Sequence, residues 1–245
     1  MMKNKSAAWG CAIVAAIFVL ILLVLLSPIL WILLAGFLYE SNYLYPDYVY
    51  RYRLTLNVEV EGIAHSASGV YEVHTKPGPD ALNSFGTVGM PAAVGEAVAL
   101  DLGEHGCLIL LLRSRGKYSP AWVVRSDLAH NPERSDHWRD EAKSVADFKG
   151  SADIPENHLW TLVLLENKDN PSTMHEVDLD HPELTLGNSL KLLPAHVETT
   201  TDPVTTGIED TLPWVKFAPT GAITRFNRPN APFFYEFRDF EQGLR

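Results

Sequence analysis

Nine histidines in a chain of 245 residues make metal and proton-transfer chemistry the first thing to look for. The densest cluster is His175-Glu-Val-Asp-Leu-Asp-His181. In an extended strand successive side chains point to opposite sides, so Glu176, Asp178 and Asp180 share one face and His175 and His181 the other. Three carboxylates along one edge offer oxygen ligands that suit a hard cation. A metal-dependent hydrolase built on these carboxylates and the nearby histidines is therefore one functional reading. Against it, the two imidazoles would stand ~20 Å apart along an extended strand, too far to share one zinc ion. The spacing also departs from H-E-x-x-H, and a solvated acidic face accounts for the same pattern.

The remaining candidates are sparser. Ser66 and Ser68 lie near His65 and His74, but no G-x-S-x-G elbow surrounds either serine. Gly86-Thr-Val-Gly89 has no following lysine and no helix signal, so it does not form a nucleotide loop. Arg113, Arg115 and Lys117 make a small basic turn, read as a solvated hairpin tip or an anion contact. Residues 202–209, DPVTTGIE, crowd polar groups into a tight turn whose backbone can satisfy them locally. No catalytic set and no cofactor motif emerges, and none is expected.

These residues hang on a chain with one dominant feature. Residues 12–38, AIVAAIFVLILLVLLSPILWILLAGFL, carry no charge, and an apolar run of more than about 18 residues reads as a membrane-spanning helix. Such a run favours the bilayer by several kcal/mol on the insertion scale, at roughly −0.3 to −0.6 kcal/mol per large aliphatic residue. It is about twice as long as the hydrophobic part of a secretory signal, which is ~7–15 residues, and no small-x-small site follows it. The expected organisation is a short cytoplasmic tail at 1–10, an uncleaved anchor at 11–39, a tether at 40–47 and one outer domain at 48–245. Ser27-Pro28 marks a place where the helix can kink. Tyr39, Tyr43 and Tyr45 fit the boundary where aromatic rings meet headgroups and water.

Charge sets the orientation and excludes some functions. Lys3 and Lys5 are the only basic residues before residue 40, and no acidic residue precedes Glu40. The outer domain thus holds 18 of the 20 basic residues and all 30 acidic ones, a net of −12. The positive-inside rule puts the amino terminus in the cytoplasm and the domain outside. A domain this acidic repels phosphate backbones, so nucleic acid is not an expected partner. Cys11 and Cys107 fall on opposite sides of the membrane and cannot pair within one chain. Cys107, at the head of the apolar run CLILLL, reads as a buried thiol. Asn170-Pro-Ser is no glycosylation sequon, because proline occupies its middle position.

The outer domain reads as mainly β. From Tyr48 to Val60 tyrosines and aliphatics alternate with Arg51, Arg53, Thr55, Asn57 and Glu59, the period of a half-buried strand. Glu61-Gly62 turns the chain, and SASGVYEVH returns as the second strand of a hairpin. AVALDLG and CLILLLR form another hairpin around Glu104-His-Gly. Its second strand, apolar on both faces, belongs at the centre of a sheet. AWVVR adds a possible strand, LWTLVLLEN a firm one, and MHEVDL and SLKLLPAHVET complete the set. ERSDHWRDEAKSVADF places Trp138, Ala142, Val145 and Phe148 at helical spacing. Thr206-Gly-Ile-Glu209 has the form of a capping box. The expected fold is an antiparallel β-sandwich or partly open barrel with one inserted helix.

YRYRLTLNVEVEGIAHSASGVYEVH, GEAVALDLG and TDPVTTGIEDTLPWV together resemble an uncharacterised family of proteobacterial proteins with an amino-terminal membrane anchor and a periplasmic β-rich domain. The resemblance runs in patches from residue 48 to 215. It implies a bacterial inner-membrane protein facing the periplasm and brings no activity and no site residue. The expected partners are the lipid bilayer and either another envelope protein or a second copy of the chain. Phe233, Phe234, Tyr235 and Phe237 near the carboxy terminus are the candidate docking residues. They form either a last strand of the domain's own sheet or a segment that adds to a partner's sheet edge.

Overall fold

The computed structural model describes residues 24, 27–28, 30–34, 46–76, 91–129, 138–217 and 240–242. The chain divides into two compact units, Met1–Asp47 and Tyr48–Arg245. In the first, the described residues are helical up to Leu34, and Leu30, Trp31, Ile32 and Leu33 are 64–71% exposed. Pro28 has no N–H to give to the Val24 carbonyl one turn back. Ser27 Oγ donates to that carbonyl instead, at 2.9 Å, so the group freed by the proline is satisfied within the helix. Among the described residues no helix is long and apolar enough to cross a membrane. Most of the expected span at 11–39, the collar Tyr39, Tyr43 and Tyr45, and Cys11 lie outside the described residues.

The second unit is mainly β, with two antiparallel sheets and few helices. Strand β1, Tyr48–Val60, alternates as its sequence predicts. Tyr50, Tyr52, Leu54, Leu56, Val58 and Val60 are buried, and the polar residues between them are not. A two-residue turn joins it to β2, Ile63–Thr75. Glu61 and Gly62 both have positive φ, 50° and 88°, the backbone twist that suits tight antiparallel hairpins. β3, Ala92–Glu96, pairs with the far end of β2 only, at residues 72–74. Strand β4 is Val98–Asp101 and β5 Cys107–Leu110, and they form the second hairpin, which turns through Gly103–His105.

The next strands are β6, Ser151–Ile154, β7, Leu162–Leu165, and β8, Met174–Glu176. β9, Leu190–Thr200, and β10, Glu241–Gln242, follow them. The six-stranded sheet runs β10-β3-β2-β1-β9-β6 and the four-stranded sheet β4-β5-β7-β8. β9 carries an extra residue opposite Leu56, where the register shifts between Thr55 and Asn57. Pro194 sits at this bulge, where a missing N–H costs the ladder little. Asn57 Nδ2 donates to its carbonyl at 2.9 Å.

One apolar layer joins the sheets. It combines Tyr52, Leu54, Leu56, Val58 and Val197 of the larger sheet with Leu100, Leu108, Leu110, Leu162 and Leu164 of the smaller. Trp160, fully buried, meets Tyr71 edge-on at 6.2 Å, and Tyr71 stacks on Tyr52 at 5.1 Å. The smaller sheet has a second buried face. Cys107, Ile109, Val163 and Leu165 pack there under Ile208, Leu212, Val215 and Phe240. That is why β5 and β7 read as unbroken apolar runs.

Three local expectations differ from the structure. AWVVR is no strand. Ala121, Val124 and Leu128 are buried at helical spacing, and Val124–Leu128 forms a π-helical turn. MHEVDL leaves its strand at Glu176, because Asp178 accepts the Asp180 N–H at 3.0 Å and turns the chain. The capping box at Thr206 does not form. Gly207 stands at the N-cap of the short helix Ile208–Thr211 with no side-chain cap bond. The carboxylate of Glu96, on β3, takes the Ile208 N–H at 2.7 Å in its place. The expected last strand at Phe233, Tyr235 and Phe237 lies outside the described residues, and β10 is the strand described after them. Phe240 is fully buried, and its carbonyl accepts the Ala97 N–H at 2.8 Å. The inserted helix stands as Trp138–Asp147, α1, with Ala142 and Val145 buried.

Candidate functional site

The π-helical turn Val124–Leu128 organises a polar constellation that reaches in two directions. Its buried side, Val124 and Leu128, is held in the common core, so Arg125 and Asp127 are sent in different directions. π turns carry strained hydrogen bonding and recur at functional positions. Arg125 lies over the Trp122 ring, 4.6 Å from its centre, and pairs with Glu141 of α1. The two side chains are only 12% and 4% exposed, so this pair fastens α1 to the turn. Breaking one partner would strand a buried charge.

Asp127 faces the other way. Its Oδ1 lies 2.7 Å from His158 Nδ1, and Ser126 Oγ donates to its Oδ2 at 2.6 Å. His158 closes the turn Glu156–His158, and its ring stacks on Tyr118 at 4.9 Å. Arg115 stands against the other groups of this corner. Its guanidinium lies 5.4 Å from the centre of the Tyr118 ring, and Nε donates to the Leu159 carbonyl at 3.2 Å. A second guanidinium nitrogen donates to the Asn157 carbonyl. A third sits 4.0 Å from Asp180 Oδ2. The basic turn 113–117 is thus tied to the domain by Arg115 rather than left as a loose tip.

A carboxylate on Nδ1 fixes the imidazole tautomer and leaves Nε2 as the proton acceptor. Asp127 and His158 therefore supply a positioned acid–base group. They do not complete a hydrolase triad, because Ser126 Oγ is bonded to the carboxylate rather than to the ring. Ser66 and Ser68 offer no substitute. Neither is hydrogen-bonded to a histidine among the described residues, and His74 Nε2 is turned to Glu72 at 3.0 Å. Beside the corner opens a cleft of about 480 Å³. Glu156, Asp180, Glu183 and Lys191 stand around it, above Leu179 and Leu190.

The 175–181 carboxylates are spread rather than gathered. Glu176, Asp178 and Asp180 all face solvent, while Val177 and Leu179 between them are buried. The alternation is as the sequence predicts, but the chain bends at Asp178 and the carboxylates diverge. His175 Nε2 is 3.4 Å from Glu166, and His181 Nδ1 is 3.6 Å from Glu183. Among the described residues no three His, Cys, Asp or Glu side chains are grouped to hold a metal ion. The docking candidates Phe233, Phe234, Tyr235 and Phe237, and the glycine loop 86–89, lie outside the described residues.

The polar turn at 202–209 is tied to distant strands rather than only to itself. Asp202 pairs with Arg53, and its carbonyl accepts from Arg51 at 3.2 Å. Thr205 receives the Val70 N–H on its hydroxyl at 2.9 Å and returns its own N–H to the Val70 carbonyl at 3.2 Å. Arg53 also holds Glu198 at 2.9 Å, and Arg51 holds Glu72 at 2.7 Å. Burial pushes the Glu72 carboxyl up, but the hydrogen bonds and charges of Arg51 and His74 outweigh it and hold the group below its ordinary value. Cys107 is buried as expected, and burial followed by the Asp101 charge pushes its thiol up to about 12. It stays protonated and unreactive at neutral pH.

Asp127, His158 and Tyr118 escaped sequence reasoning. The two halves of the dyad lie 31 residues apart, and only the fold of the π turn joins them. The protein so described is a two-sheet antiparallel β-domain preceded in sequence by an apolar helical segment, and among the described residues no serine or cysteine is bonded to the His158 ring that Asp127 holds. No family model, curated protein or solved structure matches the chain.

Proposed function

We propose that the chain is a single-pass protein of a bacterial inner membrane, with its amino terminus in the cytoplasm. Its sandwich-like β-domain stands in the periplasm and binds other envelope proteins. One observation carries the anchor. In a helical stretch whose described residues are apolar except for Ser27, that serine satisfies the carbonyl that Pro28 leaves free. In water that carbonyl would find a solvent partner; in hydrocarbon it needs one from the chain. The uncharged run 12–38, the basic residues Lys3 and Lys5 before it and the acidic domain after it point the same way. So does the resemblance to anchored proteobacterial proteins. Binding is favoured over catalysis because, among the described residues, no serine or cysteine is bonded to the His158 ring.

A reporter active only in the periplasm, fused after Arg245, is expected to be active, and a cytoplasmic reporter at the same place silent. The opposite pair of results would overturn the orientation. Periplasmic crosslinking followed by capture of the chain should recover defined envelope proteins, and an empty capture under several crosslinkers would count against the binding role. The Asp127–His158 pair beside the Asp180 cleft favours a second reading, an envelope hydrolase that takes a metal through the 175–181 carboxylates. Absence of metal in the purified protein, with no metal-induced rise in Tm, would remove it.

A further inference from the structure

Among the described residues the six-stranded sheet is incomplete along half of β2. β3 covers β2 only at residues 72–74, and Thr205 covers Val70. Residues 63–69 pair with β1 on one side and, among the described residues, with nothing on the other. Val70 gives both its N–H and its C=O to Thr205, away from β1. Backbone groups alternate sides with a period of two along a strand. Ala64, Ser66 and Ser68 therefore present three N–H and three C=O groups to the open edge.

Ile63, Ala64, His65, Ser66 and Ser68 at this edge are exposed, while Ala67 packs partly against the core. Register places Ile63 beside Val60, His65 beside Val58 and Ala67 beside Leu56. These three β1 residues are buried in the core, whereas Ile63 is 65% exposed and His65 is also exposed. The inward face of the sheet thus lacks cover at Ile63 and His65, and the cover resumes at the half-buried Ala67. Ala64, Ser66 and Ser68 on the outward face are small. Natural edge strands are usually blunted by lysine, proline or an inward-pointing charge. Residues 62–70, GIAHSASGV, contain no proline and no Asp, Glu, Lys or Arg.

We infer that this edge is where two copies of the chain pair, β2 against β2, antiparallel about a two-fold axis through Ser66. The inference deepens the proposed membrane-anchored reading and rests on it for the local concentration of copies. Charge selects the occupant. A basic strand from another protein would find no carboxylate along the edge. A second domain of net charge −12 would be repelled elsewhere but meets no carboxylate within residues 62–70, Glu59 lying one strand further in beside Ala64. Symmetry fits as well. With Ser66 opposite its own copy, Ala64 falls opposite Ser68, and all three N–H and all three C=O groups of each edge find partners. Ile63 then faces Gly69, and His65 faces Ala67, so the two imidazoles do not meet. Closed two-fold pairing is the commonest form of self-association. A single strand pair buries less than a stable soluble dimer needs, so tethering both copies to one membrane supplies the effective concentration.

The test uses the full chain in membranes, with Cys11 changed to Ser and one cysteine added at the edge. Mild oxidation with copper phenanthroline should convert most of S66C to a covalent dimer. A64C alone should stay monomeric, because its own copy lies four residues away along the strand. A mixture of A64C and S68C copies should crosslink. A monomeric S66C in correctly inserted protein would overturn the pairing, and so would an A64C that crosslinks as readily as S66C. Cosedimentation with alkali-washed membranes is scored on the same samples. A monomer that remains with the membrane overturns the dimer and leaves the anchor standing. A chain released into the soluble fraction overturns the anchor, and the crosslinking pattern still decides the pairing.

Discussion

The two sheets bury their strands in different ways. β1 in the larger sheet buries every second residue and turns Arg51, Arg53, Thr55, Asn57 and Glu59 outward. β5 and β7 in the smaller sheet are buried at all four positions each. The smaller sheet lies between the common core and the layer of Ile208, Leu212, Val215 and Phe240. It acts as the keel of the domain, while the larger sheet meets solvent and carries the open edge. Both sheets supply the common core, but only the smaller one is buried on two faces. The chain from 202 to 217, with Phe240, is part of the fold because it covers the keel.

The largest expected effect tests that layering. Ile109 faces the second layer and is fully buried, so Ile109→Ala should cost about 2–5 kcal/mol by chemical denaturation. Leu54→Ala, in the common core, should cost a similar amount. Thr55→Ala, one position along on the outward face, should change stability by no more than about 0.5 kcal/mol. An Ile109→Ala protein as stable as the parent would erase the distinction between the sheets.

A smaller effect sharpens how the covering segment is attached. Glu96 is 7% exposed and its carboxylate accepts the Ile208 N–H. Glu96→Ala should cost about 1–3 kcal/mol, the range for stranding a buried polar group. Thr206→Ala should cost far less, because its hydroxyl does not cap the helix. Equal losses in the two variants would restore the capping box that the sequence suggests.

The smallest effect lies on the solvent side of the larger sheet. The Glu72 carboxyl is held below its ordinary value of 4.5. A depressed folded-state value means that the unfolded chain takes up the proton first. Its stabilisation is therefore present above pH ~4.5 and lost as pH falls through the lower folded-state value. Glu72→Gln should flatten the acid limb of a stability–pH curve and leave the alkaline limb alone. An unchanged acid limb would show that the Arg51–Glu72–His74 group contributes nothing measurable.

Sequence reading reached the strands whose pattern is local. The alternation from Tyr48 to Val60, the Glu61-Gly62 turn and the apolar run from Cys107 each report their own surroundings, so both hairpins were legible. It failed where a residue's partner is remote. Val123 and Val124 resemble strand residues until the core claims Val124 and Leu128 at helical spacing. Thr206 resembles a cap until Glu96, 112 residues away from Ile208, takes the N–H first. Asp127 and His158 form a site only because a π turn and the turn at Glu156–His158 meet. The 175–181 cluster shows the converse. Its in–out alternation was readable, but the bend at Asp178 that spreads the carboxylates depends on a turn the period-two pattern does not reveal.

The most direct measurement is of the side of the membrane on which the β-domain lies. In spheroplasts carrying the full chain, an added protease that cannot cross the inner membrane should cleave the chain near the tether at 40–47 and release a folded β-domain. A cytoplasmic control protein should remain intact. Protection of the β-domain until the membrane is dissolved would place it in the cytoplasm and contradict the account.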